Sequence, residues 1–236
     1  MAKTFLDAAW RKLAIANYTV DPSILVPYLP QGTALDFWQD KCHVSLVGFM
    51  FVNTKVLGFR IPFHINFEEV NLRFYVRHLQ NGIWKRGVVF IKEIVPRPAL
   101  TFVANTLYNE NYVTMPMSHN WQLREGKWDI SYQWGKGLTN SLQVIAEQKS
   151  SVIEKNSEAE FITEHYWGYT RLSGNKTAQY EVEHPRWEIY KTIDYAIHVD
   201  FGNIYGRAFE HLQQEKPVSV FLAEGSQIKV KKGSTI

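Results

Sequence analysis

Alternating polar and apolar residues form the clearest pattern in this chain. From position 69 to position 77, Glu, Asn, Arg, Tyr and Arg occupy the odd positions, and Val, Leu, Phe and Val occupy the even ones. A period of two is typical of a β-strand, because successive side chains point to opposite faces of the sheet. The sequence therefore predicts a strand over residues 69–77 with one polar face and one apolar face.

Similar short stretches recur along the chain, separated by turn signals. Asn81-Gly82 is typical of a tight hairpin turn, so residues 83–94 are predicted to form the returning strand. Glu125-Gly126-Lys127 divides a second predicted hairpin over residues 119–134. Further strands are predicted over residues 13–20, 42–52, 100–108, 140–148, 165–172, 177–183, 218–223 and 227–231.

Few segments carry helix signals. Asp21-Pro22-Ser23 opens a short helix, and Ser157 with Glu160 forms a capping box at the start of another. Residues 203–214 show helical spacing of apolar side chains. A count of roughly ten strands against two or three helices favours an antiparallel sandwich or barrel. Because no Pro-, Gly- or Ser-rich linker divides the chain, residues 1–236 are predicted to form one domain.

Composition narrows the class of protein. The 26 basic and 23 acidic residues leave a net charge of only +3, which does not favour nucleic-acid binding. No apolar run is long enough for a membrane helix, and the opening residues lack an apolar leader, so a cytoplasmic location is expected. The single cysteine, Cys42, excludes an internal disulfide. The 8 Trp, 12 Tyr and 14 Phe residues suit a large core or an aromatic-lined cavity.

Common catalytic and cofactor motifs are absent. The chain contains no phosphate-binding loop, dinucleotide fingerprint, H-E-x-x-H or G-x-S-x-G sequence. Three histidines directly follow a glutamate, namely His165, His184 and His211. Adjacent residues of a strand point to opposite faces, so the first two pairs cannot chelate a metal. We therefore predict neither a metal site nor a cofactor.

The polar face of the 69–77 strand has two interpretations. Glu69, Asn71, Arg73 and Tyr75 either form a solvated outer face or point into a cavity. In a cavity, the carboxylate and the guanidinium would pair with each other or bind a ligand, since an isolated buried charge is costly.

Five runs of sequence point to a known family. They are Trp10–Asp36, Glu69–Arg77, Gly87–Phe90, Phe161–Tyr166 and His184–Trp187. Together, and in this order over nearly the whole chain, they resemble the YqjF-like uncharacterised bacterial family, which is related in fold to acetoacetate decarboxylase. The resemblance implies an acetoacetate decarboxylase-like antiparallel double-sheet β-barrel with a few short helices and an interior pocket. It also aligns Glu69 with a pocket glutamate of the enzymes.

The same resemblance argues against decarboxylase activity. In the true decarboxylases a lysine forms a Schiff base with a β-keto acid, and a neighbouring lysine lowers its pKa. The matching positions here are Tyr112 and Val113, and neither side chain can form an imine. Whether the protein is an enzyme of another kind is left open.

These arguments lead to one functional prediction and two alternatives. The protein is predicted to bind a small anionic or carbonyl-bearing molecule in its pocket. Glu69, Asn71 and Arg73 would orient the polar end of that molecule, and Tyr112 and Tyr166 would donate hydrogen bonds or line the wall. The first alternative is a lyase or hydrolase in which Glu69 is the base and a tyrosine the acid. The second is a non-catalytic interaction module with a filled core. Homo-oligomerisation is left open.

Overall fold

The fold is built almost entirely from β-strands. The computed structural model describes residues 3–108 and 110–236. In the first half of this part of the chain the strands are β1 (Thr4–Val20), β2 (Thr33–Leu35), β3 (Cys42–Val56), β4 (Phe67–Gln80), β5 (Ile83–Val95) and β6 (Tyr112–Thr114). In the second half they are β7 (Met117–Arg124), β8 (Lys127–Trp134), β9 (Asn140–Val152), β10 (Trp167–Arg171), β11 (Thr177–Glu183), β12 (Glu188–His198), β13 (Ser219–Lys231) and β14 (Ser234–Thr235).

Helices are few and short. They are α1 (Pro22–Leu25), α2 (Pro98–Tyr108), α3 (Glu158–Thr163) and α4 (Phe201–Tyr205), with 3-10 turns at Val26–Tyr28, Lys136–Leu138 and Arg207–Gln214. Within the described ranges, no helix is both long and apolar enough to cross a membrane. The mainly β class with a few short helices, predicted from the sequence, is confirmed.

The strands form one continuous sheet that closes on itself over part of its length. The hydrogen-bonded order is β14-β11-β10-β5-β4-β3-β1-β13-β12-β9-β8-β7, with β2 beside β4 and β6 beside β5. An additional pairing of β11 with β13 joins Val182 to Val230 and Glu183 to Lys229. This pairing closes a ring that runs from β13 through β1, β3, β4, β5, β10 and β11. Strands β12, β9, β8 and β7 extend from β13 as a second layer.

Strand β4 is buried on both faces. Its even-numbered residues Val70, Leu72 and Phe74 belong to one hydrophobic cluster, which also contains Tyr132 and Trp134 of β8. Phe67 and Tyr75, on the opposite face, belong to a second cluster that contains Phe161 and Ile162 of α3. Glu69, Asn71 and Arg73 share this second face and are also buried. The polar side of β4 therefore points into the molecule.

Local signals predicted several boundaries well. Asp21 caps α1 by accepting from the backbone N–H of Ser23, and the Ser157 side chain accepts from the N–H of Glu160 at the start of α3. The hairpin turns at 81–82 and 125–126 lie where the sequence predicts them.

Other boundaries were wrong. Residues 100–108 lie in helix α2, not in a strand, because a short apolar run does not distinguish a strand from a helix. Strand β12 was missed, since most of its side chains are exposed and its apolar pattern is weak. The two strands predicted over residues 218–231 are one strand, which bends at Gly225. The helix predicted over residues 203–214 is interrupted at Gly206, where the backbone φ is 106°.

Candidate functional site

A group of buried and half-buried polar side chains lies where β4, β5 and β6 meet β10 and β11. We call it the polar cluster, and it consists of Glu69, Asn71, Arg73, Glu93, Glu110, Tyr112, Thr170 and Tyr180. Glu69 and Asn71 are 2% exposed, Glu93 is 3% exposed and Arg73 is 8% exposed. Burial of this many ionisable groups at one place costs free energy unless they pair with each other or bind a ligand.

Strand register brings the members of the polar cluster together. Asn71 of β4 lies directly opposite Glu93 of β5. Strand β6 runs parallel to β5 on its other side and places Tyr112 beside Glu93. The Asn105 side chain fixes that strand, because it both accepts from the backbone N–H of Tyr112 and donates to its carbonyl, each at 2.8 Å.

A β-bulge decides which side chain of β5 enters the polar cluster. Arg73 pairs with Phe90, but Leu72 pairs with Lys92, so Ile91 is an extra residue in the ladder. Without this bulge, the hairpin turn at 81–82 would place Lys92 opposite Asn71. Instead Glu93 takes that place, and Lys92 turns to the other face, where it donates to the carbonyl of Ile204.

Hydrogen bonds order the carboxyl groups only in part. Asn71 Nδ2 donates to Glu69 Oε1 at 2.9 Å, and the Tyr112 hydroxyl donates to Glu69 Oε2 at 3.2 Å. Thr170 donates to Glu110 Oε1 at 2.9 Å. Within the described residues, none of the three glutamates has a basic group within ion-pair distance.

Burial makes the three carboxyl groups poor acids. It raises the pKa of Glu69 to about 7, against the hydrogen bonds from Asn71 and Tyr112. It raises the pKa of Glu110 to about 7 as well. For Glu93, burial and then repulsion from Glu110 and Glu69 raise the pKa well above its ordinary value. Near neutral pH, the polar cluster therefore contains at least one protonated carboxyl group, which can donate a hydrogen bond.

Arg73 is the one member of the polar cluster with a permanent positive charge. Its Nη2 donates to the backbone carbonyl of Ile162 at 3.2 Å, at the end of α3. Its Nε makes no hydrogen bond to any part of the chain that the structure describes. Its guanidinium carbon lies 5.7 Å from the centre of the Tyr75 ring. Arg73 is thus a buried cation that lacks an acceptor of matching charge.

Tyr166 lies apart from the other predicted site residues. Its hydroxyl donates to Glu164, and its ring packs against His184 at 4.7 Å between centroids. The contacts found among the described residues do not join it to Glu69, Asn71 or Tyr112. Its role in ligand binding stays a prediction.

A second buried group, which sequence reasoning did not single out, adjoins the polar cluster. His165 Nε2 lies 3.3 Å from Asp36 Oδ2, and Arg86 donates to the same oxygen at 2.6 Å. Burial lowers the pKa of His165 to about 4. The His165 ring packs against Tyr75 at 4.7 Å, so this neutral histidine forms part of the wall beside Arg73.

Tyr112 and Val113, the residues that the family resemblance aligns with the two lysines, are neighbours on β6. The Tyr112 hydroxyl donates to Glu69. The described residues also contain no group of three or more His, Cys, Asp or Glu side chains arranged to hold a metal ion.

Two surface cavities lie away from the polar cluster. One, of about 350 Å³, is lined by residues 19–22 and 40–42. The other, of about 190 Å³, lies between Tyr18, Tyr195 and residues 212–217. Neither is lined by a member of the polar cluster.

The fold is that of acetoacetate decarboxylase and its relatives. The structure of acetoacetate decarboxylase from Legionella pneumophila superposes with a TM-score of 0.65 and 13% identity, over 98% of this chain and 87% of that one. The enduracididine biosynthesis enzyme MppR with HEPES bound superposes with a TM-score of 0.66 and 9% identity, over 100% of this chain and 88% of that one. An acetoacetate decarboxylase-like enzyme from Sphingomonas wittichii RW1 superposes with a TM-score of 0.64 and 10% identity, over 99% of this chain and 94% of that one. At these identities the likeness establishes the fold alone.

The sequence itself defines the family. Residues 7–227 match the model of the DUF2071 family, described as an uncharacterized conserved protein. The chain belongs to that family, and the resemblance to YqjF-like proteins is confirmed. No curated protein sequence matches the chain.

Proposed function

We propose that this protein binds a small carbonyl- or carboxylate-bearing molecule at the polar cluster, with Arg73 holding the ligand oxygen. The observation that carries this proposal is the state of Arg73, a buried guanidinium with an unpartnered Nε and no ion pair among the described residues. Removing a guanidinium from water is costly unless an acceptor compensates, and planar oxygen acceptors match its geometry best. A ligand oxygen would supply that acceptor.

Neutral hydrogen-bond donors in the polar cluster also suit a ligand with a carbonyl oxygen. Burial and repulsion from Glu110 and Glu69 raise the pKa of Glu93 well above its ordinary value, which favours the protonated form that can donate a hydrogen bond to a ligand oxygen. The Tyr112 hydroxyl is a further donor in the polar cluster. A carbonyl oxygen accepts from such neutral donors without forming a covalent bond. Binding is therefore expected to be non-covalent, in keeping with the side chains at positions 112 and 113.

The test is calorimetric titration of the full chain with pyruvate, which combines a carbonyl group with a carboxylate. One structural neighbour, MppR, has been solved in complex with pyruvate, which makes pyruvate a suitable probe. Arg73→Gln is expected to weaken pyruvate binding at least tenfold, or about 1.4 kcal/mol. Arg73→Lys should give an intermediate loss, because it keeps the charge but not the planar fork.

Arg124→Gln is the matched control, since Arg124 lies exposed at the end of β7. It should bind pyruvate like the wild type. The proposal fails if the wild type does not bind pyruvate or other small keto acids, or if Arg73→Gln binds pyruvate as tightly as the wild type.

One observation favours a second candidate, an enzyme that moves protons by general acid–base catalysis. The pKa of Glu69 lies at about 7, where a carboxylate is an effective base. Burial raises the pKa of Tyr112 and that of Glu93 well above their ordinary values, so both side chains favour the protonated form that a general acid needs. Turnover of a panel of keto acids and lactones, lost in Glu69→Gln, would support this candidate. Absence of turnover together with an ordinary titration of Glu69 would exclude it.

A further inference from the structure

Two buried oxygen atoms in the polar cluster have no hydrogen-bond partner. Asn71 Oδ1 and Glu93 Oε2 are buried, and neither makes a hydrogen bond to the described parts of the chain. Asn71 and Glu93 are cross-strand partners, so their side chains stand next to each other on the same face of the sheet. A buried acceptor without a donor costs free energy, so a group that brings N–H bonds to this point would be favoured.

The charges around these two acceptors also favour a positive group. The polar cluster holds three carboxyl groups, those of Glu69, Glu93 and Glu110, and one guanidinium, that of Arg73. Repulsion from Glu110 raises the pKa of both other glutamates and so opposes their ionisation in the free protein. The tyrosines 112 and 180 face the same space and stay uncharged, because burial raises the pKa of each well above its ordinary value. A ligand ammonium group would relieve the repulsion between the carboxylates, whereas an additional anion alone would not.

Two neighbouring residues on the polar face of β4 need opposite hydrogen-bond partners. Asn71 Oδ1 lacks a donor and Arg73 Nε lacks an acceptor, and the two residues are two apart on one face of β4. The rise along a strand separates their Cα atoms by about 6.6 Å. A small molecule with an amine at one end and a carbonyl or carboxylate at the other can meet both requirements together.

We infer that the ligand is an amino compound of this kind, a small amino acid or its amide, with its basic nitrogen at Asn71 Oδ1 and Glu93 Oε2 and its carbonyl or carboxylate oxygen at Arg73. This inference rests on the proposed function for the Arg73 end and adds the nitrogen end to it.

Binding of an ammonium group has a measurable consequence for protons. At about pH 6 the polar cluster holds protonated carboxyl groups, because the pKa of Glu93 lies well above its ordinary value and those of Glu69 and Glu110 are about 7. An ammonium beside Glu93 favours the carboxylate, so the carboxyl proton passes to solvent as the ligand binds. About one proton is expected to be released per ligand bound.

The experiment compares three probes of similar size, namely β-alanine, propionate and n-propylamine, by calorimetry of the full chain at about pH 6 in two buffers of different ionisation enthalpy. β-Alanine should bind at least tenfold more tightly than either single-ended probe, a gain of about 1.4 kcal/mol. Its binding should release about one proton, and that of propionate should release none.

Variants locate the nitrogen end. Glu93→Gln keeps the shape of the side chain but removes its charge, so the advantage of β-alanine over propionate and the proton release should both disappear. Glu147→Gln is the matched control, because Glu147 lies on β9 and pairs with Lys191 at the surface. It should leave both quantities unchanged.

The outcomes separate this inference from the proposed function. If propionate binds and needs Arg73, but β-alanine binds no more tightly or releases no proton, the nitrogen site is wrong and the Arg73 site stands. If neither propionate nor β-alanine binds, both fail. A crystal structure that shows only ordered water at Asn71 and Glu93 in the presence of saturating β-alanine would also overturn the inference.

Discussion

At Glu69, burial opposes ionisation more strongly than two hydrogen bonds favour it. Asn71 and Tyr112 both donate to its carboxylate, yet the pKa rises to about 7, because the side chain is removed from water and Glu110 is close by. The same balance holds for Glu93, whose donors are fewer. Individual residues of the polar cluster are therefore held in a state that the unfolded chain would not favour at neutral pH.

This balance predicts how stability depends on pH. The folded pKa of Glu69 lies above its unfolded value of about 4.5, so the folded state binds the proton more tightly. Its contribution to the free energy of unfolding is fully present below about pH 4.5 and is lost as the pH rises through about 7. In urea unfolding from pH 5 to 8, Glu69→Gln should remove about 2 kcal/mol of this decline. An unchanged slope, or the same effect from Glu147→Gln, would contradict the account.

Individual site residues could be predicted only where a local pattern exposed them. Alternation identified Glu69, Asn71 and Arg73, and the family resemblance added Tyr112. Glu93 was missed because the bulge at Ile91 shifts the pairing of β5 with β4 by one residue, and no local sequence pattern indicates that bulge. Glu110 and Tyr180 reach the polar cluster from distant parts of the chain, so the pairing of β4, β5 and β6 with β10 and β11 had to be known first.

At the scale of single elements, β10 makes room for a residue of the polar cluster. Gly168 lies opposite Tyr180 of β11. A Cβ atom at Gly168 would lie 2.2 Å from the Tyr180 Cζ and 2.5 Å from its hydroxyl oxygen. The tyrosine ring therefore crosses the strand at the one position that has no side chain.

Gly168→Ala should destabilise the protein by about 1–3 kcal/mol, because the Tyr180 ring must move in a packed interior. The cost should fall sharply in a Tyr180→Ala background, which removes the ring that the new methyl group meets. A double-mutant cycle of urea unfolding measures this coupling. Equal costs in the two backgrounds would show that Tyr180 does not cross Gly168.

Elements with local signals were predicted more reliably than elements defined by long-range packing. The turn at Asn81-Gly82 and the cap at Ser157 specify their elements within a few residues, and both are present. Helix α2 and strand β12 carry no such signal. Their form depends on the neighbours against which they pack, which the sequence alone does not reveal.

At the scale of the whole molecule, the pairing of β11 with β13 closes the ring that contains β4 and β5. Strand β13 pairs with β1, β11 and β12 and bends at Gly225. The φ of Gly225 is 77°, and a Cβ there would lie 2.1 Å from the backbone oxygen of Trp10. Backbone atoms cannot move aside as a side chain can, so this bend tolerates only glycine.

Gly225→Ala should therefore lower the free energy of unfolding by more than about 3 kcal/mol, since it combines backbone strain with a clash. Gly58→Ala is the control, because Gly58 also has a positive φ, of 87°, but nothing lies within 4 Å of its added Cβ. It should cost only about 1 kcal/mol of strain. Thermal unfolding of both variants checks the difference, and equal losses would mean that β13 does not bend against Trp10.

The proposed function depends on Arg73, a buried cation, binding an acceptor group of a ligand. The most direct measurement is a high-resolution crystal structure of the full chain grown with pyruvate. We expect density for pyruvate with an oxygen within hydrogen-bond distance of Arg73, about 2.7–3.2 Å. A structure without that density, in which Arg73 instead forms a closed ion pair with Glu69 or Glu93, would contradict it.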